Sequence, residues 1–306
     1  MKNLRFLFIA IGMFLASGQG FAQQAKQLPR LLLRLDDIGM NHSVNMAALQ
    51  VAKIGMPFSA SVQFATPWYQ EAVEILKKCP QVSVGVHLTL TSEWKNYRWG
   101  PVTGRTAVPS LVDTVGYFRQ STGAFAKGGY KMDEVESELS AQIERALRSG
   151  LKITYIDPHM GVALSSPEMR AMTERLARKY KLAISTLSEV TYYKETYLEM
   201  WGEPVATKKS AFLKYVSSGL SAARPNLVVI HVAQMGPEMD ALFDMNASEM
   251  NTKEGKPLTS LHRQTELNML FSPEFRAMAG KKFRLINYEE LLKGQDISIL
   301  RPSDNK

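Results

Sequence analysis

The sequence predicts an α/β fold, a single-domain parallel barrel of about seven strands. Three observations point there. Short apolar runs alternate with helical segments along the whole chain. Several of those runs stop at Asp or His, as parallel strands do when their carboxyl ends carry ligands. No composition break marks a linker and no internal repeat is visible. The 306 residues are ample for one large core.

The first run is Leu31–Leu35, and it ends in Asp36-Asp37. Continuous apolar strands are those buried on both faces. A helix should begin near Ser43 or Asn45 and end at Gly55 and Pro57. Ser59–Phe64 is expected as strand two. Pro67 opens a helix and Pro80 closes it. Val82–Leu90 is expected as strand three, with His87 in it.

Residues 92–130 form a long excursion with no helical period. It carries Trp94, Tyr97, Trp99, Tyr117, Phe118 and Phe125. Loops of this length are functional or disordered, and the aromatic content argues for order and for a pocket wall. Anchoring of the loop to its own domain is the alternative. A helix over Met132–Ser149 follows, with Asp133 and Glu134 at its positive end. Ile153–Asp157 is strand four and Leu182–Leu187 strand five, with a helix capped by Ser165 or Ser166 between them. Residues 189–206 make a second irregular, aromatic stretch. A helix near 207–219 precedes strand six, Leu227–Val232. Met235–Lys256 is a polar loop. A helix over about Ser260–Leu270, strand seven at Lys282–Ile286 and a short helix from Tyr288 complete the chain.

Residues 1–22 stand apart. Lys2 and Arg5 precede the apolar run Phe6–Ala16, and Gly20 and Ala22 sit where a signal peptidase reads small residues. The chain is therefore expected as a signal peptide, 1–22, and a mature domain, 23–306, exported to the periplasm or beyond the cell. An N-terminal anchor is the alternative, but the run is short against the roughly 20 residues of a span. No later segment is apolar enough to cross a bilayer. Cleavage removes two basic residues and no acidic one, so the formal charge falls from +8 to +6. That mild excess suits a solubilising surface, or an anionic glycan. No nucleic-acid motif accompanies it. Cys79 is the only cysteine, which excludes an internal disulfide and a thiolate cluster. Homo-oligomerisation is left open.

The chemistry rests on repetition. Asp36-Asp37, His87, Asp157-Pro158-His159 and His231 each follow a β-type run. One carboxylate and two imidazoles converging at strand ends can hold a divalent ion and leave positions open for water and substrate. Neighbouring aspartates point to opposite sides of an extended strand, but at a turn one can bind metal while the other takes a proton. Asp157 can orient an imidazole. His231 can serve as a general acid. A satisfied core histidine is the alternative for His87, and His42 and His262 suit local structure.

The same residues resemble the YdjC-like carbohydrate deacetylase family, the group that includes chitooligosaccharide deacetylase. The resemblance rests on Asp36-Asp37-Ile38-Gly39 with Asn45, and on Gly85-Val86-His87-Leu88-Thr89-Leu90-Thr91. Asp157-Pro158-His159, His231 and Arg263-x-x-Glu266-Leu267 extend it, so it spans roughly residues 30–292. It implies a distorted TIM-like barrel, metal ligation by Asp37, His87 and His159, and Asp36 as base, with His231 the candidate acid. It implies metal-assisted amide hydrolysis of N-acetylated oligosaccharides or polysaccharides, with zinc or magnesium as the expected ions. Two departures stand out. Gly161 takes the place of a second His, and Val232-Ala233 follow His231 where the family has Pro-Gly. Hydrolysis of an O-acetyl ester or phosphoester, and glycan binding without catalysis, are the competing readings.

Overall fold

Along the first strand the side chains alternate strictly. Leu31, Leu33 and Leu35 pack outward with the helices, and Leu32, Arg34 and Asp36 point inward. This period of two is the strand signature, and here it separates two cores. The computed structural model describes residues 27–185, 190–247, 252 and 257–299. The expected leader, 1–22, lies outside the described residues.

The strands are β1 (Arg30–Ile38), β2 (Ser59–Val62), β3 (Ser83–Leu88), β4 (Ile153–Pro158), β5 (Ala183–Ile184), β6 (Thr196–Glu199), β7 (Asn226–Ile230) and β8 (Arg284–Ile286). The helices are α1 (His42–Lys53), α2 (Tyr69–Leu76), α3 (Thr122–Lys127), α4 (Met132–Arg148), α5 (Pro167–Tyr180), α6 (Val205–Lys214), α7 (Pro237–Asp240), α8 (Thr259–Phe271), α9 (Pro273–Met278) and α10 (Tyr288–Leu291). All strand pairings are parallel, in the order β5-β4-β3-β2-β1-β7-β6, with β8 also on β1. Both β7 and β8 pair with Leu31 and Leu32, so they flank β1 on opposite edges. Among the described residues no pairing joins β5 to β6. The sheet is thus a curled, open barrel, a distorted TIM-like α/β fold.

The outer core lies between sheet and helices, where Val44, Ala47 and Val51 of α1 and Val135, Leu139 and Ile143 of α4 meet the outward leucines and valines. The inner core is small. Leu32, Tyr155, Ala183, Leu227, Val229 and Ile286 form it, and Tyr288 of α10 plugs it with its ring 4.3 Å from that of Tyr155. One step further along each strand the inward residues turn polar, so the barrel has an apolar floor and a polar upper layer.

Two details of sequence make that layer possible. Gly85 of β3 lies under Tyr155, and a Cβ there would stand 2.3 Å from the ring. Only glycine lets the tyrosine cross. At the end of β1, two residues, Asp36 and Asp37, face one residue of β2. This is a β-bulge, and Asp37 has the left-handed φ of 63°. A non-glycine residue there is uncommon and strained. The bulge turns both aspartates toward the interior.

The excursion after β3 is ordered by carboxylates of α4. Glu138 accepts from the backbone of Val102 and Thr103 at 2.9 Å each, and Glu134 from Ser110 N at 2.8 Å. Trp99, Phe118 and Phe125 are buried beneath it. The sequence reading missed β6 inside the second aromatic stretch. Thr196–Glu199 is a four-residue edge strand, too short to show a period, and its partner β7 supplies the register. It also missed the short α3, α7 and α9. Part of strand five and part of the loop before α8 lie outside the described residues. Among the described residues no helix is long and apolar enough to cross a membrane.

Candidate metal centre and active site

The bulge, β3, and the turn after β4 bring Asp37, His87 and His159 together. His159 Nδ1 lies 3.2 Å from His87 Nε2 and 3.3 Å from Asp37 Oδ1, and His87 Nε2 lies 3.4 Å from Asp37 Oδ1. All three side chains are buried. Ligands at about 2.0–2.1 Å from one tetrahedral ion stand about 3.3–3.4 Å apart, so the donor set has the type and spacing of a divalent site.

Each donor is held from behind. His87 Nδ1 lies 2.6 Å from Asp157 Oδ2, which turns Nε2 toward the cluster. The sequence reading had Asp157 available to orient an imidazole, and it orients His87 rather than its neighbour His159. His159 Nε2 faces Glu93 Oε2 at 3.1 Å. Asp37 Oδ2 accepts from Arg263 at 2.5 Å, leaving Oδ1 for the cluster. Carboxylate partners behind ligating imidazoles fix the ring and raise its basicity. Asn45 stabilises the turn, its Oδ1 accepting from Gly39 N at 2.8 Å.

Asp36 stands beside this triangle, its Oδ2 3.9 Å from His87 Nε2. Arg34, on the same strand face, donates to both its oxygens at 2.7 and 2.8 Å. The environments of the two aspartates differ. Burial raises Asp36 above the usual carboxylate value, with Arg34 and His87 pulling the other way. Burial acts on Asp37 too, but Arg263 and the two imidazoles hold it well below. Burial disfavours charge on His87, yet Asp157 and Asp36 push it up to about 10. His159 is pushed up to about 9, with Glu93 and Asp37 outweighing burial.

His231 follows β7, and its ring packs against Trp201 at 5.0 Å. Burial depresses its affinity for a proton well below the ordinary histidine value, and Nδ1 is buried without a hydrogen-bond partner. Its backbone N–H donates to Glu266 Oε2 at 2.6 Å, while Glu266 Oε1 pairs with the fully buried Lys208 at 2.6 Å. Glu266 of the late motif is thus structural.

Arg34, Asp36, Asp37, His87, His159 and His231 line a cavity of about 400 Å³. Trp94 comes from the first excursion, and Tyr197, Glu199 and Trp201 from the β6 segment. Arg263 lies between the two tryptophans, 5.6 Å from Trp94 and 5.0 Å from Trp201. Of the first excursion only Trp94 supplies an aromatic wall. Tyr97 instead hydrogen-bonds Met40 O, and Trp99 donates to Thr91 O. Arg34, Gln63, Glu93 and Glu199 had no signal in the sequence, since each gains its place from strand register or loop path. His42 pairs with Glu71 on the surface.

The chain is similar to proteins of known family. A carbohydrate deacetylase of Enterococcus faecalis (strain ATCC 700802 / V583) is 30% identical over 193 residues, 63% of this chain and 71% of that protein. One of Brevibacillus brevis is 31% identical over 155 residues, 51% of this chain and 58% of that protein. The chain therefore matches only part of these relatives' length. In fold it is similar to a crystal structure from Enterococcus faecalis V583, described as a candidate cellobiose-phosphate cleavage protein. That likeness has a TM-score of 0.66 at 24% identity over 87% of this chain and 99% of that one. The model of the YdjC-like protein family matches residues 30–281, and the chain belongs to that family.

Proposed function

We propose that this chain is a metal-dependent hydrolase that removes acetyl groups from N-acetylated oligosaccharides or polysaccharides. The observation that carries the reading is the buried Asp37–His87–His159 triangle with a second carboxylate, Asp36, at its edge. The carbohydrate deacetylases among its relatives support the substrate class.

Asp37 Oδ1, His87 Nε2 and His159 Nδ1 would hold the ion. A divalent ion bound there polarises a carbonyl and lowers the pKa of water. Asp36 takes the proton from the attacking water, a role that burial favours by raising its affinity for a proton. Arg34 fixes that carboxylate and keeps a positive charge beside it. His231 is the proposed donor to the departing sugar nitrogen. That role requires the proton Asp36 has taken from the water to pass to the His231 ring before the C–N bond breaks, so that one proton leaves the water and one reaches the amine. Tyr197 and Trp201, both only partly buried, offer faces on which sugar rings pack. The leader at 1–22 would place this activity in the periplasm or outside the cell.

The test is acetate release from a panel of N-acetylated and O-acetylated glycans, with metal removed and restored. Metal-dependent release from the amides supports the reading. Release from the esters alone would make the chain an esterase, and no release with retained glycan binding would make it a binding protein.

A further inference from the structure

Gln63 follows β2, a strand from which the sequence offered no site residue. Its side chain is fully buried and reaches the donor triangle. Nε2 lies 3.0 Å from Asp37 Oδ1 and 3.2 Å from His159 Nδ1. Its other amide atom, Oε1, is buried with no hydrogen-bond partner among the described residues. A buried carbonyl left without a partner is destabilising and calls for a reason.

We propose that Gln63 is a fourth protein ligand, donating through its amide oxygen. The inference rests on the metal site proposed above. The two ends of an amide exchange by a half-turn about the last bond. After that turn Oε1 takes the place of Nε2, at distances from Asp37 and His159 that match the edges of the donor triangle. The turn answers two problems at once. It gives the orphaned oxygen a partner, and it removes an N–H from a place where a cation would repel it. A neutral, hard oxygen beside Asp37 and two imidazoles has a consequence for selectivity. With four protein donors a tetrahedral ion has no open position left for water and substrate. Catalysis then needs an ion at ease with five or six ligands, such as Mn²⁺, Co²⁺ or Mg²⁺, more than one held to four.

Two substitutions separate ligation from a hydrogen bond to Asp37. Gln63→Leu has neither function, whereas Gln63→Glu keeps an oxygen donor but cannot donate to Asp37. Co²⁺ binding to the full chain is measured by titration calorimetry, and the visible spectrum of the Co²⁺ protein reports coordination number. We expect Gln63→Leu to weaken Co²⁺ by about tenfold or more, in the range of changes next to a metal site, and to shift the spectrum toward lower coordination. Gln63→Glu should bind at least as tightly as the parent, with the parent's spectrum. Thermal melts of the metal-free variants confirm folding. Weaker binding by Gln63→Glu would assign Gln63 to holding Asp37 and overturn the proposal, as would Gln63→Leu with unchanged affinity and spectrum. If the parent chain itself takes up no Co²⁺, the metal-site reading fails first.

Discussion

Asp36 and Asp37 share a bulge but not a neighbourhood. Arg34 grips both oxygens of the first, while Arg263 takes one oxygen of the second and leaves the other to the imidazoles. Separate partners allow separate tasks. Asp36→Asn should keep its metal and lose hydrolysis by about 10²–10⁴-fold, the usual contribution of a positioned base. Asp37→Asn should instead lose metal. Metal content and acetate release on both variants decide the matter, and the reverse pattern would exchange the roles. Glu195 offers a test at another depth. Burial pushes it up to about 7, so in the pH window from its unfolded value to about 7 the folded chain holds the extra proton. Stability attributable to this group is therefore present in acid and lost as pH rises through that window. Glu195→Gln should gain stability on the order of 3 kcal/mol at pH 8 and little at pH 4.5. Chemical denaturation at the two pH values reads this, and an equal effect at both would refute it.

Within the elements, the inward faces of β3 and β4 depend on one missing side chain. Gly85 leaves room for Tyr155, whose hydroxyl lies 2.9 Å from Ser61 Oγ while its ring packs on Tyr288. That stack is the floor beneath His87 and Asp157. Gly85→Ala should cost about 1–3 kcal/mol through overpacking, seen as a lower denaturation midpoint, and should also weaken metal binding because His87 is two residues on. An unchanged midpoint would mean the ring moves aside freely. The same reasoning explains why Gly85 belongs to the motif with His87. It also shows why the motif could be read without its cause, since Tyr155 is 70 residues away and meets it only through the β3–β4 register.

For the whole molecule, charge balance gives the sharpest expectation. Four carboxyl groups, Asp36, Asp37, Glu93 and Asp157, lie in ion-pair range of the two imidazoles, and two guanidinium groups, Arg34 and Arg263, pair with these carboxylates, leaving room for two further positive charges. In the metal-free protein the imidazoles supply them, His87 holding its proton to about pH 10 and His159 to about pH 9. Those raised values stabilise the fold fully below the ordinary histidine range and cease to as pH rises through 9 and 10. A metal must displace both protons. Uptake near pH 7.5 should therefore release close to two protons, and affinity should climb steeply with pH until about 9. Calorimetry in buffers of different protonation enthalpy counts them, and release of none would show that the ion binds elsewhere. Export is the second expectation at this scale. Protein recovered from its native host should begin at Gln23, and an intact Met1 would refute cleavage.

The barrel class, seven of the eight described strands and the positions of Asp36, Asp37, His87, His159 and His231 were legible in the sequence. Each is a local signal, an apolar run that stops at a side chain able to bind or transfer. What lay beyond that reach was set by register and loop path. A bulge, visible only when β1 is laid against β2, turned Asp37 inward. The pairing of β3 with β4 gave Asp157 to His87. Folding of the excursions brought Glu93 and Trp94 to the cavity, and β6 existed only because β7 offered it an edge. Gln63 and Arg34 carried no pattern at all. A sequence records which residues can do chemistry and where a strand ends. Contacts between residues far apart in the chain decide which of them face one another, and at what distance.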